Sequence, residues 1–281
     1  MIMKKGLIIA TVLVALGFTI TGGVILGVAI SQGAFKGTTE TVKKEYTITE
    51  AFDSININVD VSDITFNKSE DDKVLVKVEE KERLYHTVSV VDNALTIKTV
   101  DELNYWEKMW GYNNLKLTID LPDDAYEHLK IKDSTGYVKF TSEFTFATVD
   151  TNLTTGSLHM KNINVDDYIN SESSTGSLHF ESVRCASIKA KTSTGSVHFN
   201  DFIASGSMEV STSTGSVHFL NSDADTISVK TSTGSVKGNL LSDHLFHAYS
   251  HTGTIHFPST TGPLCEISTS TGNIDITVGK V

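Results

Sequence analysis

Ser193-Thr194-Gly195-Ser196-Val197-His198-Phe199 decides how this chain folds, because the sequence repeats it. The same phrase runs Ser174–Phe180 and Ser213–Phe219. Looser copies run Ser134–Phe140, Thr154–Met160, Ser232–Gly238, His251–Phe257 and Ser270–Ile276. Their glycines are Gly136, Gly156, Gly176, Gly195, Gly215, Gly234, Gly253 and Gly272, at steps of 20, 20, 19, 20, 19, 19 and 19. A fixed period of that size marks a solenoid, in which each unit buries its apolar face only by stacking on its neighbours.

Working outward from each glycine, apolar residues alternate with polar ones on both sides. Upstream stand Ile188 and Ala190, Met208 and Val210, Ile227 and Val229, Cys265 and Ile267. Downstream stand Leu178 and Phe180, Val197 and Phe199, Val217 and Phe219, Ile255 and Phe257. A period of two is the signature of a strand with one buried face. Ser-Thr-Gly between the strands is turn chemistry, since glycine accepts positive φ. A less regular apolar pair, such as Val183 and Cys185, suggests a short third side. Pairing the two strands of one repeat as a hairpin remains open on this pattern alone. Recurrence of identical side chains at identical offsets favours parallel, in-register coils about 4.8 Å apart. The expected fold is all-β: a single-chain parallel β-solenoid (β-helix) of 19–20-residue coils, preceded by one N-terminal transmembrane helix.

The composition agrees with a thin rod: 281 residues, 39% apolar, 3 Pro. A net charge of −11 leaves no basic patch for phosphates, so nucleic acid is excluded as a partner. Cys185 and Cys265 fall on inward positions about four coils apart, on the order of 19 Å at strand spacing, too far for a disulfide. Both read as buried free thiols.

Met1–Lys5 reads as a cytoplasmic start, and residues 6–30 carry no charge over 25 positions. That length suits a retained single-pass anchor, being longer than the apolar core of a signal peptide. Lys4 and Lys5 place the N-terminus inside and the rest extracytoplasmic. Residues 31–45 read as a linker, 46–121 as an irregular β N-terminal or capping part, and 122–281 as the regular coils. In Val61-Ser62-Asp63-Ile64-Thr65-Phe66 a degenerate repeat puts Asp63 in the glycine place. Thr87–Val91 and Ala94–Lys98 around Asp92-Asn93 suggest a hairpin. Trp106, Trp110 and Tyr112 interrupt the strands as an aromatic cluster, read as a plug over the solenoid or as an interaction surface.

Phe52-Asp53-Ser54-Ile55 leading into a strand, Thr118-Ile119-Asp120-Leu121-Pro122 before Leu129-Lys130-Ile131, and the Ser-Thr-Gly turns resemble a bacterial family. It is the putative-adhesin, β-strand-repeat family of unknown function that includes LiaG-like envelope proteins. The resemblance covers roughly residues 46–281. It implies a β-solenoid displayed outside the membrane behind one anchor helix, and it carries no catalytic residues over. Relatives often show Ser-Gly-Asp at the turn; this chain keeps Ser-Thr-Gly-Ser and adds histidine.

That histidine recurs three residues after the glycine, as His159, His179, His198 and His218, followed by Lys237 and then His256. Stacked coils would align the imidazoles as a ladder on an outward face. They are candidate metal ligands, and stacked imidazolium ions would repel and titrate together. The plain alternative is a tolerated surface residue copied by duplication. The threonines beside the glycines read as hydroxyl ladders serving the turns. No phosphate loop, His-Glu-x-x-His pair or nucleophile elbow occurs. The sequence therefore predicts no catalytic site and no cofactor. It predicts an envelope protein with a structural or interaction role, with cell-wall or surface protein or glycan as partner. A metal- or glycan-binding module using the His ladder or the Trp cluster is the alternative, and a carbohydrate-active enzyme the least favoured.

Overall fold

The computed structural model describes residues 25–27, 41–103, 115–122 and 125–279. The 6–30 run lies outside these residues except for Ile25–Gly27, which pair antiparallel with Glu45 to Thr47. Among the described residues no helix is long and apolar enough to cross a membrane. The aromatic cluster of Trp106, Trp110 and Tyr112 also lies outside them.

Every described element is a strand, and the coils stack in parallel register as the repeat predicts. On the face upstream of the turn, one inward file runs Ile97, Ile57, Ile131, Thr151, Ser171, Ala190, Val210, Val229, Ile267, Ala248. On the downstream face a second file runs Leu117, Ile64, Val138, Leu158, Leu178, Val197, Val217, Val236, Ile274, Ile255. Phe180, Phe199 and Phe219 queue behind it with ring centroids 5.3 and 5.5 Å apart and planes within 12°. A third side joins Ile163, Val183 and the Arg184–Ile203–Asp223 file. The core is thus one continuous apolar column inside the rod.

Coils do not follow one another strictly in chain order, as simple winding would require. Leu264–Thr271 pairs with both Val217–Thr233 and Leu245–Thr252, so the Gly272 coil sits between the Gly234 and Gly253 coils. The last coil in sequence is therefore one in from the end. The other end repeats the device. Ser54–Lys68 lies between Ala125–Phe140 on one side and Ala94–Asp101 with Leu115–Leu121 on the other.

Two further details correct the sequence reading, and a third agrees with it. Ser62, rather than Asp63, occupies the glycine place, because Ile64 pairs with Val138 and Val61 with Thr135. Serine suffices there because on the side away from Gly136 the two faces come from separate segments, and no complete corner stacks on it. The strand Thr41–Ile48 starts inside the stretch read as linker. Its alternation is hidden by Lys43 and Lys44, whose ammonium groups reach Glu79 and Glu80 of the antiparallel partner Val74–Lys81. The hairpin between Leu84–Val91 and Ala94–Asp101 is present, and Asp92 and Asn93 both take left-handed φ (49° and 62°), which a two-residue primed turn needs. With Thr41–Ile48 and Val74–Lys81, these antiparallel strands cap the N-terminal end.

Candidate functional site

The turn explains the repeated phrase atom by atom. Each turn glycine packs on the corner carbonyl of the coil stacked beneath it, Gly136 on Ser62 and Gly253 on Gly272: a Cβ on Gly215 would stand 1.9 Å from the Gly195 oxygen, and one on Gly234 1.8 Å from that of Gly215. The serine after the glycine accepts a hydrogen bond from the backbone N–H one coil further on. This ladder runs Ser157, Ser177, Ser196, Ser216, Ser235 at 3.1–3.3 Å and ends on Asn273 and Thr254. The hydroxyl three residues before the glycine donates to the glycine carbonyl of the adjacent coil, from Thr192, Thr212, Thr231, Thr269 and Ser250. The threonines of that column are buried and Ser250 is half-buried, whereas the Thr columns singled out from sequence, beside the glycines, are exposed. Side chains of the motif thus serve the corner's own backbone donors and acceptors, which must be satisfied at a buried bend.

The His file is real, and it lies outward between the turn and the second corner. In space it runs Lys139, His159, His179, His198, His218, Lys237, Asp275, His256. His256 therefore does not follow Lys237; Asp275 intervenes and lies 3.2 Å from His256 Nδ1. His179, His198 and His218 stack face to face at 4.5 and 4.8 Å with planes 2° and 7° apart, whereas His159 meets His179 edge-on at 5.9 Å. Glu181 closes one end of the row, 2.7 Å from Lys161 and 3.3 Å from His159 Nε2. Burial, then the flanking rings, push His198 down to about 4. Burial followed by His159 lowers His179, and burial followed by Lys237 lowers His218. His179, His198 and His218 hence form a neutral, half-buried aromatic shelf at neutral pH. It floors a shallow groove of about 450 Å³ whose far wall includes Glu181, Asn200 and Leu220.

Parallel stacking bears on metal chemistry. An imidazole binds a metal in its own ring plane at about 2.0–2.1 Å. Rings stacked 4.5 Å apart keep their lone pairs in separate planes, so in this arrangement neighbours do not chelate one ion. Among the described residues no group of three or more His, Cys, Asp or Glu is placed to hold a metal.

Sequence reasoning missed a set of buried polar groups near the N-terminal cap. His86 and Ser62 are buried, with His86 Nε2 2.9 Å from Ser62 Oγ. Glu80, also buried, accepts from the His86 backbone N–H at 2.7 Å and lies 3.3 Å from His86 Nδ1. The order Ser–His–Glu has the outline of a nucleophile triad. Sealed at 0–1% exposure, however, the Ser62 hydroxyl meets no solvent, and its work is to fill the corner left open at Ser62. Burial raises the Glu80 carboxyl, but hydrogen bonds from His86 and Lys44 outweigh it and leave the group below its ordinary value. One coil inward, Asp133 is buried with one carboxyl oxygen unpartnered. Burial pushes it up to about 7, against hydrogen bonds from the Thr135 and Ser62 backbones. Only chain tracing could have found this set, since Ser62, Glu80, His86 and Asp133 share no motif.

Cys185 and Cys265 are free and buried, and burial pushes both thiols up to about 12. At the second corner Asn162, Ser182, Asp201 and Asn221 form a column of left-handed residues (φ 48–55°) that carries a 19–20-residue period of its own. Asn and Asp adopt that conformation several-fold more readily than other side chains, which made this corner legible in principle.

Residues 52–240, well over half of the chain, match the Toastrack DUF4097 family, and the chain belongs to it. Solved structures of the same fold include a putative adhesin from Bacteroides fragilis (15% identity, 85% of this chain and 97% of that one, TM-score 0.55). A putative adhesin from Parabacteroides merdae is similar at 14% identity (86% and 98%, TM-score 0.52). So is a putative lipid binding protein from Parabacteroides distasonis (14%; 83% and 96%; TM-score 0.50). These likenesses carry the fold alone. No curated protein matches the chain.

Proposed function

We propose that this Toastrack chain is a non-catalytic display rod of the bacterial envelope. The apolar run 6–30 tethers it to the membrane by a single pass, and the solenoid stands outside and engages a cell-surface ligand through the His face. One observation carries the reading: His179, His198 and His218 repeat one chemical group at one-coil intervals beside an open groove. A ligand that itself repeats can place successive units against such a row, and the exposed edges of the stacked imidazoles, with their ring nitrogens, suit the hydroxyls of a neutral sugar chain. Cell-wall glycan is accordingly the favoured ligand, ahead of a surface protein. Support for a non-catalytic role comes from the inward or structural placement of the motif hydroxyls and of Ser62. The names of the similar structures, adhesins and a lipid-binding protein, point the same way.

Two measurements test it. Protease added to intact cells should degrade the solenoid while leaving cytoplasmic markers whole; a protected solenoid overturns the extracytoplasmic placement. Purified full chain should co-sediment with insoluble cell wall. The triple substitution His179→Ala, His198→Ala, His218→Ala should release it with its melting temperature little changed. Equal binding by the triple variant, or none by the wild type, removes the His face as the ligand site.

A further inference from the structure

The two ends of the rod are not alike. At the N-terminal end the downstream apolar file finishes in Leu117, fully buried because Val74–Lys81 pairs antiparallel beyond it. At the other end the file finishes in Ile255, 41% exposed, although Val138, Leu158, Leu178, Val197, Val217, Val236 and Ile274 of the same file are each fully buried. Leu245–Thr252 pairs with Leu264–Thr271 on one side, and among the described residues nothing pairs with its other edge. Ile255–His256 likewise pairs only with Ile274–Val278. Leu245 and Tyr249 add further exposed apolar surface, at 44% and 62%. The threading that places the Gly272 coil inside the Gly253 coil also keeps the chain's last described strand from covering this edge.

Open strand edges invite another strand, and proteins commonly guard them with charges or proline. This edge has no such guard: the 13 residues from Leu245 to Phe257 contain no Asp, Glu, Lys, Arg or Pro. Elsewhere the chain is acidic, with a net charge of −11, so two copies meeting side to side bring carboxylates together. Meeting end to end at this edge, they bring together two strands that hold no Asp, Glu, Lys or Arg. A two-fold axis would lay Leu245–Thr252 antiparallel to itself, use the free main-chain groups of both copies and cover both Ile255 side chains. A two-fold contact uses the same edge of both copies, so it closes at two.

We infer that the Gly253 coil is a homotypic docking edge, through which two chains join end to end as a two-fold dimer with a continuous β-core. The occupant is a second copy rather than an unrelated protein, because the edge lacks the charge complementarity that would select a foreign partner.

The test uses the full chain in non-ionic detergent. Sedimentation velocity over a concentration series should give two chains per particle. Tyr249→Lys with His251→Lys places like charges across the axis on exposed side chains, and should weaken association by roughly tenfold or more without altering the melting temperature. Tyr249→Cys should cross-link to itself under mild oxidation. Lys191→Cys, an exposed position of the same face in mid-rod, should not. Four results overturn the inference: a monomer at every concentration; a dimer that survives the double lysine variant, as pairing through residues 6–30 would; equal cross-linking at positions 191 and 249; or capture of another envelope protein by the Tyr249→Cys variant in place of a second copy.

Discussion

Gly215→Ala is the sharpest perturbation of the architecture, because the structure gives both parts of its cost. The first is torsional. Gly215 sits at φ 155°, and a residue held in a conformation open essentially to glycine costs about 1–3 kcal/mol. The second is steric. The new methyl would stand 1.9 Å from the Gly195 oxygen and 2.5 Å from its carbon, both backbone atoms of a coil fixed by its own neighbours. Relief requires the two coils to part, which disturbs the Ser216 N–H bond to Ser196 Oγ and the Thr212 hydroxyl bond to the Gly195 carbonyl. Overpacking of this kind costs about 1–3 kcal/mol, and each disturbed hydrogen bond about 1. A total loss of about 4–8 kcal/mol follows, which in a domain of this size lowers the melting temperature by roughly 8–30 °C. Gly206→Ala supplies the control: its nearest atom is the Ala186 oxygen at 3.0 Å and its φ lies outside the left-handed range, so it should lose about 1 kcal/mol or less. Thermal denaturation by circular dichroism compares the two. If Gly215→Ala melts within about 2 °C of the wild type, or no lower than Gly206→Ala, the corner does not require glycine and the stacking argument fails.

Further outcomes follow from the buried titratable groups. Asp133 moves from the ordinary 3.8 up to about 7 on folding. The native state therefore binds the extra proton between those values, and stability falls as pH rises from about 4 to about 7. Asp133→Asn should flatten that slope and stabilise the protein at about pH 8, and melting curves across pH that remain parallel would refute it. His198, pushed down to about 4, should titrate well below an ordinary imidazole by NMR. Because its pKa falls on folding, stability should decline as pH drops from about 6.5 towards 4, and an imidazole titrating near 6.5 would show that the rings are not stacked as described. Cys185 and Cys265 should resist alkylation in the native protein and react together on unfolding, whereas prompt labelling of either would contradict its burial.

The coil was legible in the sequence because its corner is chemically demanding. A position that must be glycine on two counts, followed by a serine that accepts the next coil's N–H, leaves the same letters at successive turns from Gly176 to Gly234. The inward files were legible for the same reason: Phe180, Phe199 and Phe219 fill identical space. Where the environment changes, the letters change. Ser62 replaces glycine at the corner closed by His86, and no spacing rule connects positions 62, 80 and 86. The outward His file was visible as a column, but its continuation past Lys237 was not, since chain order and spatial order part company there. Periodicity reports the environment of a residue; it does not report which neighbour supplies it.

The crossed ends have a physical consequence of their own. Were the coils laid down in chain order, the first and last would each be stacked on one side only and would fray. Here Ser54–Lys68 is paired on both sides by Ala125–Phe140 and by Ala94–Asp101 with Leu115–Leu121. Leu264–Thr271 is held on both sides in the same way by Val217–Thr233 and Leu245–Thr252. An end of this kind opens only if an outer coil leaves first, and the outer coil's own partner is the chain end it protects. Such closure is achieved through contacts distant in sequence, which slows folding. In the folded rod it moves the vulnerable surface away from both ends of the described chain. At the N-terminal end that surface lies under the antiparallel strands Thr41–Ile48 and Val74–Lys81. At the other it is the edge of the Gly253 coil, where Ile255 ends an otherwise sealed file. The same threading that secures the last strand thus leaves Leu245–Thr252 and Ile255–His256 as the edge a second copy would meet.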